Sequence, residues 1–295
     1  MNRYQHIDLK YLSKFAIQAA QRAGDYLSTR QFSEVEILHK EDANSKASEL
    51  FTEIDLQCQK IILEALQPTI QSYDIGILAE ESASESNRLD KEVFWVIDPL
   101  DGTLPFLDRI SGYAISIALV NSNGAPLIGV VYEPILSTLY TAIEGQGAFR
   151  NGAPLSFEKT SLSQSFLHWH MDRSFLSSDS FVAWRSQMKK VATEMGYKGV
   201  HIHSASGAVM HAIGVVESNH GCYFKVPKIK SGGGSIWDFA ATALIVKEAG
   251  GIVVNFEGSS LYLNDPTTTF MNCQGVLFAS SVALKEYILS HYRSL

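Results

Sequence analysis

Apolar positions in this chain change their spacing several times, and each change predicts an element. From Leu9 to Leu27 they recur every three or four residues. They do so again from Asp55 to Leu66, where Ile54, Cys58, Ile61, Ile62, Ala65 and Leu66 share one face. That period predicts two amphipathic helices. Between them, Lys40–Ser48 is a polar run that reads as a loop able to reach over a site. Ser82–Lys91 reads as a second polar connection. Short β-rich runs then predict strands at Val93–Ile97, Tyr113–Val120, Leu127–Tyr132 and Leu139–Ile143. Gly145–Gly152, where Gly and Asn cluster, reads as the turn closing that block. Beyond about residue 158 strands and helices alternate. Strands are expected at Phe166–Met171, Gly199–His203, Cys222–Val226, Ile252–Asn255 and Val276–Ala279. Helices are expected at Val182–Met195, Gly207–Val216, Ile236–Glu248 and Val282–Tyr292. The change of pattern divides the chain into an N-terminal α+β part, residues 1–157, and a C-terminal α/β part, residues 158–295. A ligand cleft is expected where the two pack.

Composition narrows the class. With 46% of residues apolar, 295 residues can bury a substantial core. A formal charge of −7 argues against binding a nucleic-acid polymer, which calls for a basic face. The cysteines Cys58, Cys222 and Cys273 lie far apart with no C-x-x-C pair, so a reduced compartment is the natural setting. No apolar run reaches the ~20 residues needed to span a bilayer. Met1–Asp8 lacks the apolar stretch of a secretory signal, and the expectation is a cytoplasmic protein with no membrane partner. A homodimer is compatible with the chain but not required by it.

The candidate chemistry is concentrated in Trp95-Val96-Ile97-Asp98-Pro99-Leu100-Asp101-Gly102-Thr103. A buried strand delivers two carboxylates at its end, and Gly102 and Thr103 follow where a turn exposes backbone N–H groups. Carboxylates hold hard cations such as Mg²⁺, and free N–H groups receive phosphate oxygens. Three other segments extend the pattern. Ile77-Leu78-Ala79-Glu80-Glu81 ends an apolar run in acids, Leu50-Phe51-Thr52-Glu53-Ile54-Asp55 opens a helix, and Trp237-Asp238 opens another that ends at Gly250-Gly251.

Taken together and in this order, these segments resemble the inositol monophosphatase superfamily of Mg²⁺-dependent, often lithium-sensitive phosphatases. The resemblance runs from Ala19–Gly24 through Gly145–Gly152 to the Trp237-Asp238 helix. It implies a layered α-β-α-β-α sandwich and an enzyme that releases inorganic phosphate from a small-molecule monoester with two or three Mg²⁺ ions. By position, Glu80, Asp98, Asp101 and Asp238 match the family's metal carboxylates, and Leu100 the residue lending a carbonyl. Asp55 and Thr103 match the pair associated with the attacking water, which makes Asp55, Thr103 and Glu80 the catalytic candidates. Gly102 and Thr103 are the phosphate-binding candidates, and Ser206 and Gly207 match the leaving-group pocket. Two positions depart from the family pattern. Ala79 stands where a Gly usually precedes the acids, and Leu104-Pro105 replaces more polar residues. Pro105 is compatible with a first helical turn, where its missing N–H has no intrahelical partner.

The substrate end is less constrained. Phe106–Leu119 is similar to the 3′(2′),5′-bisphosphate nucleotidase branch, which favours a substrate such as adenosine 3′,5′-bisphosphate over an inositol or sugar phosphate. Arg109, Lys225 and Lys228, with Lys230 beside them, are candidates for a second phosphate; a solvated cation and a flexible loop are the plainer readings. A two-metal nuclease and a non-catalytic phosphate-binding protein remain as remote alternatives. His168-Trp169-His170 and His201-Ile202-His203 each put two imidazoles on one strand face. They read either as transition-metal ligands or as two partly exposed strand faces.

Overall fold

The computed structural model describes residues 7–30, 37–39, 50–158 and 160–294. The polar run Lys40–Ser48 lies outside the described residues. Helix α1 (Leu9–Arg30) is followed by a two-stranded ribbon, β1 (Ile37–His39) with β2 (Leu50–Thr52), and then by α2 (Glu53–Tyr73). Next comes β3 (Gly76–Ala79), then β4 (Val93–Asp101), the short helix α3 (Thr103–Leu107), β5 (Ala114–Asn121), β6 (Pro126–Glu133) and β7 (Thr138–Ile143). With β8 (Ala148–Arg150) and β9 (Ala153–Leu155) these strands form one seven-stranded sheet in sequence order. Only β3 and β4 run parallel in it.

The second half contains β10 (Leu167–His170), α4 (Phe181–Met195), β11 (Val200–His203), α5 (Ala208–Glu217), β12 (Gly221–Lys225), α6 (Ile236–Glu248), β13 (Ile252–Val254), β14 (Val276–Ala279) and α7 (Val282–Arg293). Its five strands are ordered β11-β10-β12-β14-β13, with β11 at an edge.

Strand alternation assigns the layers. Trp95, Ile97, Ile117 and Leu119 pack with Leu12, Ala19, Cys58 and Ile62 of α1 and α2. Their neighbours Phe94, Val96, Ala118 and Val120 face the opposite way, onto α5 and α6. Those two helices also cover Tyr223 and Phe278 of the second sheet, whose other face (Trp169, Cys222, Phe224, Leu277) packs on α4 and α7. The order is therefore helix, sheet, helix, sheet, helix, as the resemblance implied.

Three local expectations are corrected. Leu50–Thr52 is a strand, β2, rather than the opening of the following helix. Helix α2 does not stop at Leu66 but continues across the exposed Pro68, because Thr69 is buried and accepts a hydrogen bond from the Trp95 indole at 3.1 Å. That tertiary contact overrides the loss of one backbone donor. Gly145–Gly152 is not one turn: it contains β8, and Asn151-Gly152 (φ +49° and +78°) makes the tight hairpin into β9.

Candidate active site

The site begins with an irregularity in β4. A strand alternates sides, so Asp98 and Asp101, three residues apart, belong on opposite faces of a regular one. Against β5, however, Asp98 pairs with Ser116 and Asp101 with Ala114, so β4 carries one extra residue there. This β-bulge re-aims the strand end. It encloses Pro99, which has no N–H to lose from the ladder. The Asp98 carboxylate accepts the Leu100 N–H at 3.1 Å, which fixes the bulge locally. As a result Asp98 and Asp101 converge with Asp238, their ligand oxygens lying within 4.8 Å of one another.

Each acid is held by a different device. Asp238 occupies the third position of α6 and forms a capping box with Ser235, accepting its N–H at 2.5 Å. Ser116, the β5 partner of Asp98, donates to the Trp237 carbonyl at 3.3 Å and so ties α6 to the strand below. Asp101 accepts two N–H groups at the start of α5, Ala208 at 3.0 Å and Val209 at 2.8 Å. A helix N-terminus favours a negative charge there. Glu80 directly follows β3, whose Ala79 lies beside Ile97, and its charge acts on Asp98.

Three carboxylates in one buried place oppose each other's ionisation. Burial first, then Glu80, Asp101 and Asp238, holds Asp98 well above the usual carboxylate range. Burial and Asp238 do the same to Asp101, against the two α5 N–H groups. Burial also raises Asp238, partly countered by Lys225.

The remaining sequence candidates distribute around this cluster. Gly102, at φ +89°, turns the chain into α3, where Thr103 opens the helix and Pro105 fits its first turn. Asp55 is 3% exposed in the first turn of α2. Helix α3 packs on β2, immediately before that turn, so Asp55 and Thr103 come from adjoining elements. Leu100 is buried in the bulge. Ser206 and Gly207 lead into α5 beside Asp101, and a Cβ on Gly207 would lie 2.2 Å from Asp101 Oδ2. Only glycine allows that approach. Gly207→Ala is therefore expected to displace Asp101, costing about 1–3 kcal/mol and lowering Tm by roughly 2–6 °C. Turnover should fall with it; a Gly207→Ala enzyme with parental kcat and Tm would show that this contact is dispensable.

The basic candidates do not behave alike. Lys225, expected to be available to substrate, is ion-paired with Asp172 at 2.7 Å. Tyr223 donates its hydroxyl to the other Asp172 oxygen at 2.8 Å. Burial alone would lower the Lys225 ammonium, but Asp172, Asp238 and Asp101 outweigh it and hold it above the usual range. Lys225 is thus a fixed cation serving the carboxylate cluster, and the sequence reasoning missed its partner Asp172. Lys228 and Lys230 are exposed on the loop between β12 and α6. Arg109 is exposed in the turn after α3, at φ +59°.

Comparison with known proteins agrees with this geometry. A family model described as the inositol monophosphatase family matches residues 8–294. "Nus factor SuhB" of Salmonella typhimurium is 30% identical over 255 residues, covering 84% of this chain and 86% of its own length. "Inositol monophosphatase 2" of Solanum lycopersicum is 30% identical over 254 residues, covering 84% and 88%. Among solved structures, an inositol monophosphatase from Anabaena (Nostoc) superposes with a TM-score of 0.70 at 24% identity, over 97% of both chains. Inositol monophosphatase-II from Staphylococcus aureus does so with a TM-score of 0.68 at 22% identity, covering 96% and 95%.

Proposed function

Because the chain belongs to the inositol monophosphatase family, a family of phosphatases, we propose that it hydrolyses a small-molecule phosphate monoester with Mg²⁺ held by its carboxylate cluster. The observation that carries this reading is the convergence of Asp98, Asp101 and Asp238 within 4.8 Å. The donor set fits the ion: the groups are oxygen ligands, as a hard cation requires, and their mutual repulsion is relieved by positive charge. Glu80, Asp98 and the Leu100 carbonyl would hold one ion; Asp98, Asp101 and Asp238 would hold another. When bound, the ions supply Lewis-acid charge to the attacking and leaving oxygens.

The chain's own groups do the rest. Asp55 and Thr103 orient the attacking water, and Asp55 takes its proton. Gly102 and Thr103 N–H groups receive phosphoryl oxygens, which fixes the phosphorus for in-line attack. Ser206 and Gly207 border the leaving group. Lys225, locked by Asp172, offsets part of the rise in Asp238 and Asp101 rather than reading substrate.

For the substrate, we favour a nucleotide bearing a second phosphate, such as adenosine 3′,5′-bisphosphate. The exposed ammonium groups of Lys228 and Lys230, on the loop leading into the Asp238 helix, support it. A metal site binds the reacting phosphoryl group of any monoester, so preference for a second anionic group needs cations elsewhere. Neutralising Lys228 and Lys230 to Met should raise KM for the bisphosphate about tenfold, since two solvent-exposed charged contacts together are worth ~1.4 kcal/mol. KM for inositol 1-phosphate should hardly move. Inositol or sugar phosphate is the second reading, favoured by the printed name of the Solanum lycopersicum relative. Phosphate release from a panel of bisphosphate nucleotide, inositol 1-phosphate, sugar phosphates and a diester separates them. Turnover of inositol 1-phosphate without the bisphosphate selects the second reading, and turnover of the diester alone rejects both.

A further inference from the structure

The two histidine pairs singled out in the sequence do not converge on a common point. The His203 ring is stacked face to face on His168 and His170, at 5.1 Å and 4.6 Å between centroids, and His201 is stacked on Phe166 at 4.0 Å. Among the described residues, the three carboxylates are the one group of potential ligands close enough to share an ion. His168-Trp169-His170 and His201-Ile202-His203 are therefore packed strand faces and not transition-metal ligands.

The Asp172–Lys225 pair is the feature that calls for more. Lys225 ends β12, and its ammonium, largely buried, lies 2.7 Å from Asp172. It also stands beside the first turn of α6. It is 5.6 Å from the centre of the ring of Phe239, the residue after Asp238, and a Cβ on Gly234 would come within 3.2 Å of it. A helix N-terminus repels a cation, and burial disfavours one. What offsets both is negative charge, Asp172 first and then the cluster acids Asp238 and Asp101. The influence is mutual. Burial raises Asp238, and Lys225 is the strongest group opposing that rise. At Asp101 burial and Asp238 act upward, and the Val209 N–H and Lys225 act against them. Asp172 is anchored separately, by the Tyr223 hydroxyl at 2.8 Å, so the ammonium is held where it acts on the cluster.

We propose that Lys225 is a resident counter-ion of the carboxylate cluster, a positioning residue that holds Asp101 and Asp238 together in the metal-free protein and thereby weakens Mg²⁺ binding to them. This role rests on the proposed use of the cluster for Mg²⁺. A divalent ion brought to these acids meets a fixed positive charge that Asp172 prevents from swinging away. Coulomb energy scales with charge, so the ammonium opposes a divalent ion twice as strongly as a proton at the same place. Removing it therefore favours the metal even where one proton competes.

Mg²⁺ binding to the full-length protein is measured by titration calorimetry at about pH 8.5, well above ordinary carboxylate values, and melting is followed in EDTA and in Mg²⁺. Lys225→Met should bind Mg²⁺ about tenfold more tightly than the parent, the scale of a neighbouring charge acting on a divalent ion in a partly buried site. It should melt below the parent in EDTA and gain more Tm from the same Mg²⁺ concentration. Lys225→Arg keeps the charge and should bind as the parent does. Asp172→Asn removes the anchoring anion and should bind more weakly. Because Lys225→Met leaves Asp172 buried and unpaired, the double variant Asp172→Asn, Lys225→Met is its companion. It removes both charges and should still bind Mg²⁺ more tightly than the parent, the lysine being the stronger of the two at Asp238. A damaged site binds more weakly, so a gain in affinity is a signature that mere loosening does not imitate. Parental or weaker binding in the double variant, or Lys225→Arg binding as tightly as Lys225→Met, overturns the role of Lys225 and leaves the Mg²⁺ reading standing. A parent that binds no Mg²⁺ overturns both.

Discussion

Asp98→Asn is expected to abolish phosphatase activity, by roughly a thousandfold or more, on the scale set by removing a principal electrostatic group from an active site. Asn keeps the shape of the side chain and its bond to the Leu100 N–H can survive, so the bulge should persist. What disappears is the charge at the point where Glu80, Asp101 and Asp238 all act. Mg²⁺ affinity, measured by titration calorimetry, should fall along with turnover. Asp55→Asn is the necessary contrast. It should lose about a hundredfold to ten-thousandfold in turnover, as loss of a general base does, while Mg²⁺ binding stays near parental. Equal damage to Mg²⁺ binding in both variants would sink the division of roles.

Metal removal carries the second large effect. Chelation with EDTA should bring phosphate release to background, Mg²⁺ should restore it, and Ca²⁺ should restore it poorly because its longer, looser ligation suits the site less well. Stability should respond with a definite sign. Asp98 and Asp101 have folded-state values raised by burial and by their acidic neighbours. Such groups bind more protons folded than unfolded, so their contribution is fully present below the ordinary value of about 4 and is lost as pH rises toward the folded value. The buried histidines oppose this, since their lowered values give stability that is lost as pH falls below about 6.5. The informative comparison is therefore between parent and Asp98→Asn, both in EDTA. The variant should melt higher than the parent, by a margin that widens with pH. A parent that is the more stable of the two at every pH would contradict the account of the cluster.

Much of this architecture is legible in the periodicities, because a helix or strand with one buried face needs a regular apolar repeat. The carboxylates of β4 were legible for a related reason: they sit three residues apart at the end of an apolar run. Features set by pairing were not. The bulge between Asp98 and Asp101 exists only relative to β5, and no property of the Trp95–Thr103 segment announces it. The continuation of α2 through Pro68 depends on Trp95, a partner from another element. Asn151-Gly152 did announce a hairpin and was hidden in a longer Gly-rich stretch. Lys225 and Asp172 illustrate the limit most clearly. Once β10 and β12 are known to be parallel, with His170 opposite Tyr223, the two residues beyond them fall opposite each other and the ion pair follows. Before that pairing is known, Lys225 is one lysine among several on a basic loop.

The bond between Ser116 and the Trp237 carbonyl, with Asp238 beside it, has a consequence for the order in which the enzyme comes into being. Two acids of the cluster are synthesised 137 or more residues before the third, as their positions 98, 101 and 238 show. On the ribosome the N-terminal strands emerge first and begin to pair. Their two carboxylates then wait without α6 and without the neutralising lysine at 225. A nascent chain is therefore catalytically silent until its last quarter has left the exit tunnel and α6 has docked. Products that stop between Thr103 and Asp238 carry the Gly102-Thr103 turn but lack the third acid of the cluster.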